Sequence, residues 1–156
     1  MTATLTVTTP TDRQIVMTRE FNAPRELVFE AMTKPEFVKR WLLGPPGWEM
    51  PECEIDLRVG GGFKYGWQKA GKMMRMHGTY TEVVPPERLV HTESFDDPWY
   101  EGEAIGIYVL TEHDGKTLLT LTMEWESKET RDMILKTGME RGVEASYDRL
   151  EELLRQ

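Results

Sequence analysis

The C-terminal stretch from residue 127 to residue 156 carries the most regular apolar pattern in this chain. Charged side chains fill the positions between its apolar or small residues, which recur at steps of three and four: Leu135, Met139, Val143, Ser146, Leu150 and Leu153. Such spacing places one apolar stripe along an α-helix. Ser127 is suited to cap the helix, because its hydroxyl can accept a hydrogen bond from a free backbone N–H. The pattern predicts one long helix that covers a layer of strands.

Two glycines, Gly138 and Gly142, lie on or beside the apolar stripe of this predicted helix. A glycine inside a helix costs roughly 1 kcal/mol relative to alanine, so both positions need a physical reason. One interpretation is close packing of the helix backbone on a sheet. The other is space left between helix and sheet for a bound molecule. The pattern alone leaves both interpretations open.

Composition restricts the class of protein. The 156 residues suit one domain, and the formal charge of −8 argues against a surface for nucleic acid or anionic membranes. Because no apolar run approaches the roughly 18 residues of a membrane span, we expect no membrane insertion. The first residues lack a basic segment followed by an apolar one, so we expect no secretory signal and a cytoplasmic location.

The order of the predicted elements indicates the fold class. Residues 1–12 are rich in threonine and predict a flexible tail with at most a short strand contact, followed by one domain at 13–156. A strand over 13–21 precedes two short helices that begin near Pro24 and Pro35. Six further strands follow, joined by short turns, and then the long helix. This order predicts a seven-stranded antiparallel sheet in the α+β class.

Several segments of the chain, in this order, resemble one protein family. They are the runs at 19–41 and 77–92, the turn Asp56–Gly61, the hairpin turn Asp114–Thr117 and the helical run Gly138–Leu154. Together they are similar to the SRPBCC (START/Bet v 1-like) superfamily. Within it, they resemble the branch related to the C-terminal domain of activators of the heat-shock protein 90 ATPase. The resemblance covers roughly residues 13–155.

This resemblance implies a helix-grip fold, in which a curved seven-stranded antiparallel sheet wraps around the long C-terminal helix and leaves a cavity between them. Members of the superfamily bind lipids, sterols, polyketides and other apolar molecules there, and some are cyclases, aromatases or hydrolases. The chain departs from the family pattern at Val143, where an aromatic residue usually follows the second helix glycine. It departs again at Leu42-Leu43, where the family often has a tryptophan. Both departures imply a reshaped cavity.

The candidates for a cavity lining are residues on the helix-facing side of the sheet and on the helix stripe. Strand alternation and helix spacing select Tyr65, Trp67, Met74, Met76, Met123, Trp125, Met139 and Val143. Trp48 and Trp99 lie on predicted loops that could rim the entrance. The alternative for each residue is ordinary core packing. The chain contains ten methionines, whose flexible side chains suit either an irregular core or an adaptable apolar pocket.

His91 and Glu93 are two residues apart on one predicted strand and therefore share a face of the sheet. If that face looks into the cavity, they form a polar pair in an apolar wall. Such a pair could orient a ligand hydroxyl or carbonyl group, or act as general acid and base. The alternative is that both side chains point to solvent, with Val90 and Thr92 inside.

Other catalytic and metal chemistries find little support. Cys53, His77, His91 and Glu93 lack the tight spacing of metal ligands, so we expect no metal site. Cys53 alternates with apolar neighbours and is interpreted as an inert buried thiol. The serines have no nucleophile-elbow context. No cofactor is implied by any of these residues.

The sequence therefore predicts a protein that binds a small apolar or amphipathic ligand between sheet and helix. Two alternatives remain open. One is a co-chaperone-like module that stimulates a heat-shock protein ATPase, which the resemblance implies. The other is a small enzyme of the cyclase or aromatase type, in which His91 and Glu93 are the residues to test. We expect a monomer or a homodimer.

Overall fold

The computed structural model describes residues 4–156, which form eight strands and four helices. The strands are β1 (Thr6–Thr8), β2 (Gln14–Phe21), β3 (Glu49–Ile55), β4 (Gly62–Lys69), β5 (Lys72–Val84), β6 (Arg88–Phe95), β7 (Ala104–His113) and β8 (Lys116–Glu124). The helices are α1 (Arg25–Thr33), α2 (Pro35–Trp41), α3 (Lys128–Lys136) and α4 (Met139–Leu154). Within this described part, none of the helices is long and apolar enough to cross a membrane.

All the strands belong to one antiparallel sheet in the order β1-β2-β8-β7-β6-β5-β4-β3. The predicted α+β class is confirmed, and the arrangement is consistent with a helix-grip fold. The predicted count of seven strands is wrong, because Thr6–Thr8 adds an eighth strand at the edge beside β2. Leu5 is buried and Val7 is half-buried, so this short segment gains apolar burial by pairing. The curvature of the sheet stays a prediction.

The segment predicted as a flexible tail is only partly described. Residues 1–3 lie outside the described residues. Within the remainder, Val7 of β1 pairs with Met17 of β2, so the short strand contact allowed for this segment is present.

Alternation along β2 and β8 supplies the centre of the core. Ile15 and Met17 on β2 are fully buried and lie opposite Met123 and Leu121 on β8. Because successive strand side chains point to opposite faces, one side of each strand turns inward as a row that is apolar except for the buried Arg19 on β2 and Thr117 on β8. This row forms the floor on which the helices pack.

The two short helices between β2 and β3 are confirmed. Pro35 occupies the first turn of α2, where its missing N–H group costs nothing. Val38 is fully buried, and the indole N–H of Trp41 donates to the carbonyl oxygen of Ala31 on α1 at 2.8 Å. This bond satisfies the polar atom of a buried tryptophan and links the two helices.

The predicted single C-terminal helix is wrong in one respect, because it is two helices with a break between them. Ser127 caps α3 as predicted, since its hydroxyl accepts a hydrogen bond from the Thr130 backbone N–H at 3.1 Å. The chain then leaves the helical path at Gly138, whose φ of +73° lies in the left-handed region. Gly138 is thus the N-cap residue of α4 and does not lie in the interior of a helix. Residues other than glycine adopt this backbone conformation only at a cost in free energy.

Helix α4 packs against α1, α2 and α3 and closes the core. Its buried face contains Tyr147 and Leu150, which are 3 % and 0 % exposed. The ring of Tyr147 meets that of Phe21 edge to face, with centroids 5.5 Å apart. This contact joins the last helix to the second strand.

We expect Gly138→Ala to lower the free energy of unfolding by about 1–2 kcal/mol, because alanine is strained in the left-handed conformation. A Cβ at this position would also lie 2.6 Å from Nη2 of Arg141, which must move away. Urea unfolding followed by circular dichroism measures the change. Gly138→Asn should recover part of the loss, since asparagine tolerates this conformation better.

The matched control is Gly142→Ala. This glycine lies inside α4, and an added Cβ would make an ordinary contact at 3.4 Å with Cδ of Pro45. We expect it to be neutral or to stabilise by less than about 1 kcal/mol. Equal effects of the two alanine substitutions would contradict the assigned break at Gly138.

Candidate functional site: an apolar pocket between sheet and helices

A pocket of about 390 Å³ lies between the sheet, the junction of α3 with α4, and the loop that follows α2. Most of its wall is aromatic or aliphatic. The lining residues are Met32, Trp41, Leu42, Leu43, Gly44, Pro45, Trp48, Phe63, Tyr65, Trp67, Met74, Met76, Tyr80, Leu89, His91, Glu93, Tyr108, Leu121, Met123, Thr137, Gly138, Met139, Gly142, Val143, Ser146 and Tyr147. The break between the two C-terminal helices therefore forms part of the wall.

Strand β4 supplies a row of three aromatic side chains to this wall. Phe63 and Tyr65 stack with centroids 4.6 Å apart, and Trp67 meets Tyr65 edge to face at 5.7 Å. The indole N–H of Trp67 donates to the carbonyl oxygen of Leu42 at 2.8 Å. Because rings have few rotatable bonds and these rings brace one another, the row presents a rigid apolar surface.

The loop after α2 is held against α4 by both backbone groups of Gly44. Its N–H donates to Oγ of Ser146 at 2.8 Å, and its carbonyl oxygen accepts from Nη1 of Arg149 at 2.8 Å. These two bonds place Pro45 next to Gly142, where an added Cβ would make only an ordinary contact of 3.4 Å with Cδ of the proline ring. Of the two glycines in the C-terminal stretch, Gly138 is therefore required by the backbone turn, whereas the contact of this loop with α4 does not require glycine at position 142.

The imidazole of His91 lies in a ring of aromatic side chains on the sheet. Its centroid is 4.8 Å from that of Phe63, 5.4 Å from that of Tyr108 and 6.1 Å from that of Tyr80. The neighbouring strand makes room for the ring at Gly106, where a Cβ would lie 3.0 Å from Cε1 of His91. A larger residue at that position would displace the imidazole.

His91 and Glu93 form the polar part of the wall, as one of the two interpretations predicted. Nδ1 of His91 lies 3.8 Å from Oε1 of Glu93. The same Nδ1 donates to the carbonyl oxygen of Thr92 at 3.2 Å, which leaves Nε2 as a hydrogen-bond acceptor. The alternative, with both side chains in solvent, is excluded because their side chains are only 7 % and 14 % exposed.

Burial shifts the pKa values of this pair in opposite directions. It lowers the pKa of His91 to about 4, although the hydrogen bond to Thr92 acts the other way. It raises the pKa of Glu93 to about 7. Between these two values both side chains are neutral, so the contact is not an ion pair there. A protonated carboxyl group beside an imidazole with a free lone pair can donate and accept hydrogen bonds.

Most of the residues predicted from alternation are brought together here. The pocket is lined by Trp48, Tyr65, Trp67, Met74, Met76, His91, Glu93, Met123, Met139 and Val143. Trp99 does not line it; this side chain is 45 % exposed and lies against Phe95 and Tyr100. Trp125 does not line it either, because it follows the end of β8 and is buried in the core.

Sequence reasoning missed part of the wall. Tyr80 and Tyr108, in the middle of β5 and β7, line the pocket but were not selected. Leu42 and Leu43, where the departure from the family pattern implied a reshaped cavity, do line it, together with Trp41. Alternation could have found Tyr80, since it shares a face with Met76. Alternation could not select the residues after α2, because a loop has no periodicity; only the resemblance to the family pointed to Leu42 and Leu43.

The remaining reactive side chains lie elsewhere. His77 is exposed and bonds to Asp96, with Nδ1 and Oδ1 2.6 Å apart. Cys53 is half-buried, and burial raises the pKa of its thiol to about 11, which keeps it protonated and unreactive. Among residues 4–156, no three His, Cys, Asp or Glu side chains are grouped so as to hold a metal ion.

The pKa of Glu93 predicts how stability depends on pH. We expect Glu93→Gln to raise the free energy of unfolding by about 2–3 kcal/mol near pH 8. The folded protein holds this proton up to a pKa of about 7, against 4.5 in a free carboxyl group. The contribution of the wild-type side chain is therefore fully present below about 4.5 and is lost as the pH rises through about 7. The amide does not titrate, so its advantage grows across that window.

Urea unfolding of both proteins at several pH values measures this difference. His91 is present in both, so its own titration cancels. Glu144→Gln, on the exposed side of α4, is the control and should show no such trend. A difference between wild type and Glu93→Gln that does not vary with pH would contradict the raised pKa.

Comparison with known families identifies this architecture. The model of the family described as "Activator of Hsp90 ATPase homolog 1-like protein" matches residues 22–155, which is most of the chain. The chain belongs to this family. The resemblance to the SRPBCC superfamily, and to its activator branch, is thereby confirmed. No curated protein matches the chain.

Solved structures of similar proteins agree with the family. A protein from Rhodobacter sphaeroides is 26 % identical, with a TM-score of 0.91 over 97 % of this chain and 99 % of its own. Protein CV1439 from Chromobacterium violaceum is 28 % identical, with a TM-score of 0.82 over 94 % and 99 %. A protein from Aeromonas hydrophila described as AHSA1-like is 21 % identical, with a TM-score of 0.70 over 88 % and 93 %, and shows the fold alone.

Proposed function

We propose that this member of the activator-like family binds a small apolar or amphipathic molecule in the pocket between its sheet and its C-terminal helices. The observation that carries the proposal is the pocket itself, about 390 Å³ in volume and lined mainly by aromatic and methionine side chains. Ligand sites in proteins typically measure about 300–1,000 Å³ and have mostly apolar walls with a few polar groups. The pocket falls within both descriptions.

The construction of the wall supports binding rather than incomplete packing. Trp41, Trp67 and Gly44 are each held by a hydrogen bond at the pocket margin, so the walls cannot collapse without breaking these bonds. Met74, Met76 and Met139 provide adaptable side chains around this rigid frame. A fixed frame with adaptable contacts is suited to a ligand that is recognised by shape and apolar area.

Binding can be tested without knowing the natural ligand. Native mass spectrometry of gently purified protein should detect any co-purified molecule, and titration with the neutral dye Nile red should give saturable fluorescence. A neutral apolar competitor such as 2-(1-naphthyl)ethanol should displace the dye. Absence of both a co-purified mass and saturable dye binding would overturn the proposal.

A second candidate function is stimulation of a heat-shock protein ATPase, which the description of the family supports. It would use the outer surface and not the pocket. The measurement is the ATPase rate of a heat-shock protein 90 homologue with increasing amounts of this protein. A rate that does not change would remove this candidate while leaving ligand binding intact.

Catalysis inside the pocket is a third candidate, supported by the close approach of His91 and Glu93. Their pKa values provide an acid and a base that are both neutral near pH 6, as general acid–base chemistry requires. Loss of turnover in His91→Ala and Glu93→Ala, with ligand binding retained by at least one of them, would support it. The single domain at 13–156, the cytoplasmic location and the monomeric or homodimeric state stay predictions.

A further inference from the structure

The charges around the pocket are unevenly distributed. Among the described residues that line it, Glu93 is the only carboxylic acid, and none is lysine or arginine. His91 provides a neutral imidazole whose Nδ1–H is already donated to Thr92. The wall therefore offers one carboxyl group, one imidazole acceptor and tyrosine hydroxyl groups, without any lysine or arginine.

Glu93 has no charged partner among the groups that face it. His91 lies beside it on β6, and the hydroxyl groups of Tyr65 on β4, Tyr108 on β7 and Tyr100 before β7 are close enough to be affected by its charge. Burial comes first in raising the pKa of each of these tyrosines, and the carboxylate of Glu93 adds to it. Within residues 4–156 no cation or hydrogen-bond donor offsets the burial of Glu93.

We propose that the ligand carries a protonated amine, whose ammonium group pairs with the carboxylate of Glu93 while its apolar body lies against Phe63, Tyr65 and Trp67. This inference rests on the proposed binding function and specifies the chemical class of the ligand. A primary or secondary aliphatic amine attached to a ring system or alkyl chain fits this description.

An ammonium group supplies what the pocket lacks. A buried carboxylate without a partner is costly, and an opposite charge at hydrogen-bonding distance removes much of that cost. The faces of the tyrosine and tryptophan rings attract the same positive charge. The net charge of −8 on the whole chain also raises the local concentration of cations. An anionic ligand, such as a fatty acid, would meet Glu93 and no cation.

The proposal makes a directional prediction about pH. Below about pH 7 the pocket holds a protonated Glu93, so binding an ammonium group releases a proton to solvent. As the pH increases towards 7, the affinity for the amine should therefore rise by up to about tenfold per pH unit. Above about pH 7 it should level off, because Glu93 is then already ionised before the ligand binds. A neutral ligand that accepts a hydrogen bond from protonated Glu93 would show the opposite trend, because the donor is lost as the pH rises.

Three probes that share a naphthyl ring and a two-carbon chain separate these possibilities. They are the amine 2-(1-naphthyl)ethylamine, the alcohol 2-(1-naphthyl)ethanol and the carboxylate anion of 1-naphthaleneacetic acid. Isothermal titration calorimetry at about pH 6 and about pH 8 measures the affinity of each probe. At the higher pH we expect the amine to bind at least about tenfold more tightly than the alcohol, and the carboxylate to bind most weakly. In Glu93→Gln the ratio of amine to alcohol affinity should fall to about one, whereas Glu144→Gln should leave the ratio unchanged.

The outcomes separate this inference from the function on which it rests. If the alcohol binds at least as tightly as the amine at the higher pH, the amine inference is overturned and ligand binding stands. If the amine is preferred but the preference survives Glu93→Gln, Glu93 is not the partner and the inference is again overturned. If none of the three probes binds and Nile red does not bind either, the proposed binding function fails together with the inference.

Discussion

Replacing Arg19 with methionine is expected to lower the free energy of unfolding by about 3–5 kcal/mol. Arg19 lies on the inward face of β2 and is 1 % exposed. Its Nη1 lies 2.6 Å from Oδ1 of Asp148, and its Nη2 lies 3.0 Å from Oε2 of Glu151, both on α4. Methionine fills a similar volume but leaves the carboxylate of Glu151, whose side chain is 10 % exposed, without its partner.

A double-mutant cycle isolates the ionic contribution. Glu151→Gln alone leaves the buried guanidinium with only the exposed Asp148, so it should also destabilise. The double variant Arg19→Met with Glu151→Gln should be more stable than Arg19→Met alone by about 1–3 kcal/mol, because no buried charge then lacks a partner. Urea unfolding measures all three variants.

The control for this cycle is an exposed pair. Arg58 and Asp56 form a salt bridge at 2.9 Å, but their side chains are 68 % and 57 % exposed. Arg58→Met should therefore change the free energy of unfolding by less than about 1 kcal/mol. If Arg19→Met had an effect as small as this, the bridge from β2 to α4 would not contribute to holding the last helix in place.

The second large effect is expected on binding. Val143→Trp should weaken the binding of Nile red and of the naphthyl probes by at least about tenfold, because the indole ring would occupy space that the ligand needs. Val143 lines the pocket from the α4 side.

Val59→Trp is the matched control, since Val59 is 63 % exposed and does not line the pocket. It should leave the affinity for every probe unchanged. The thermal midpoint of both variants must stay near that of the wild type, so that weaker binding reports a filled pocket and not unfolding. Undiminished binding in Val143→Trp, with a native midpoint, would place the bound probe outside this pocket.

The success of sequence reasoning differed between strands and loops for a physical reason. Side chains of a strand alternate between two faces, so Tyr65 with Trp67, and Met74 with Met76, could be assigned to the same side before any distance was known. Trp99 had no such constraint, because it lies between strands. Trp125 continues the alternation of β8 one residue past its end, where the chain already turns towards α3.

The C-terminal stretch shows the same limit in a helix. Apolar spacing continues through Gly138 with hardly any interruption, because two helices in succession can keep their apolar sides on one core. A periodic pattern does not report the single backbone dihedral that separates them. The glycine at this position could have indicated the break. However, glycine is favoured both at the end of a helix and where two backbone segments pack closely, so its presence does not distinguish the two.

The sequence by itself determined the class of fold, the family and which residues of a strand share a face, because these depend on short-range periodicity and on residues in a recognisable order. It left open whether the face with His91 and Glu93 points inward, which their burial in the structure decided. The tertiary structure alone decided three features: the break at Gly138, the bridge from Arg19 to Glu151, and the closure of the pocket by Gly44 against Ser146. The bridge and the pocket closure join segments that are distant in the chain, and the break at Gly138 lies within a continuous apolar pattern that does not reveal it. Their relative placement follows from packing of the whole core, and local spacing contains no information about it.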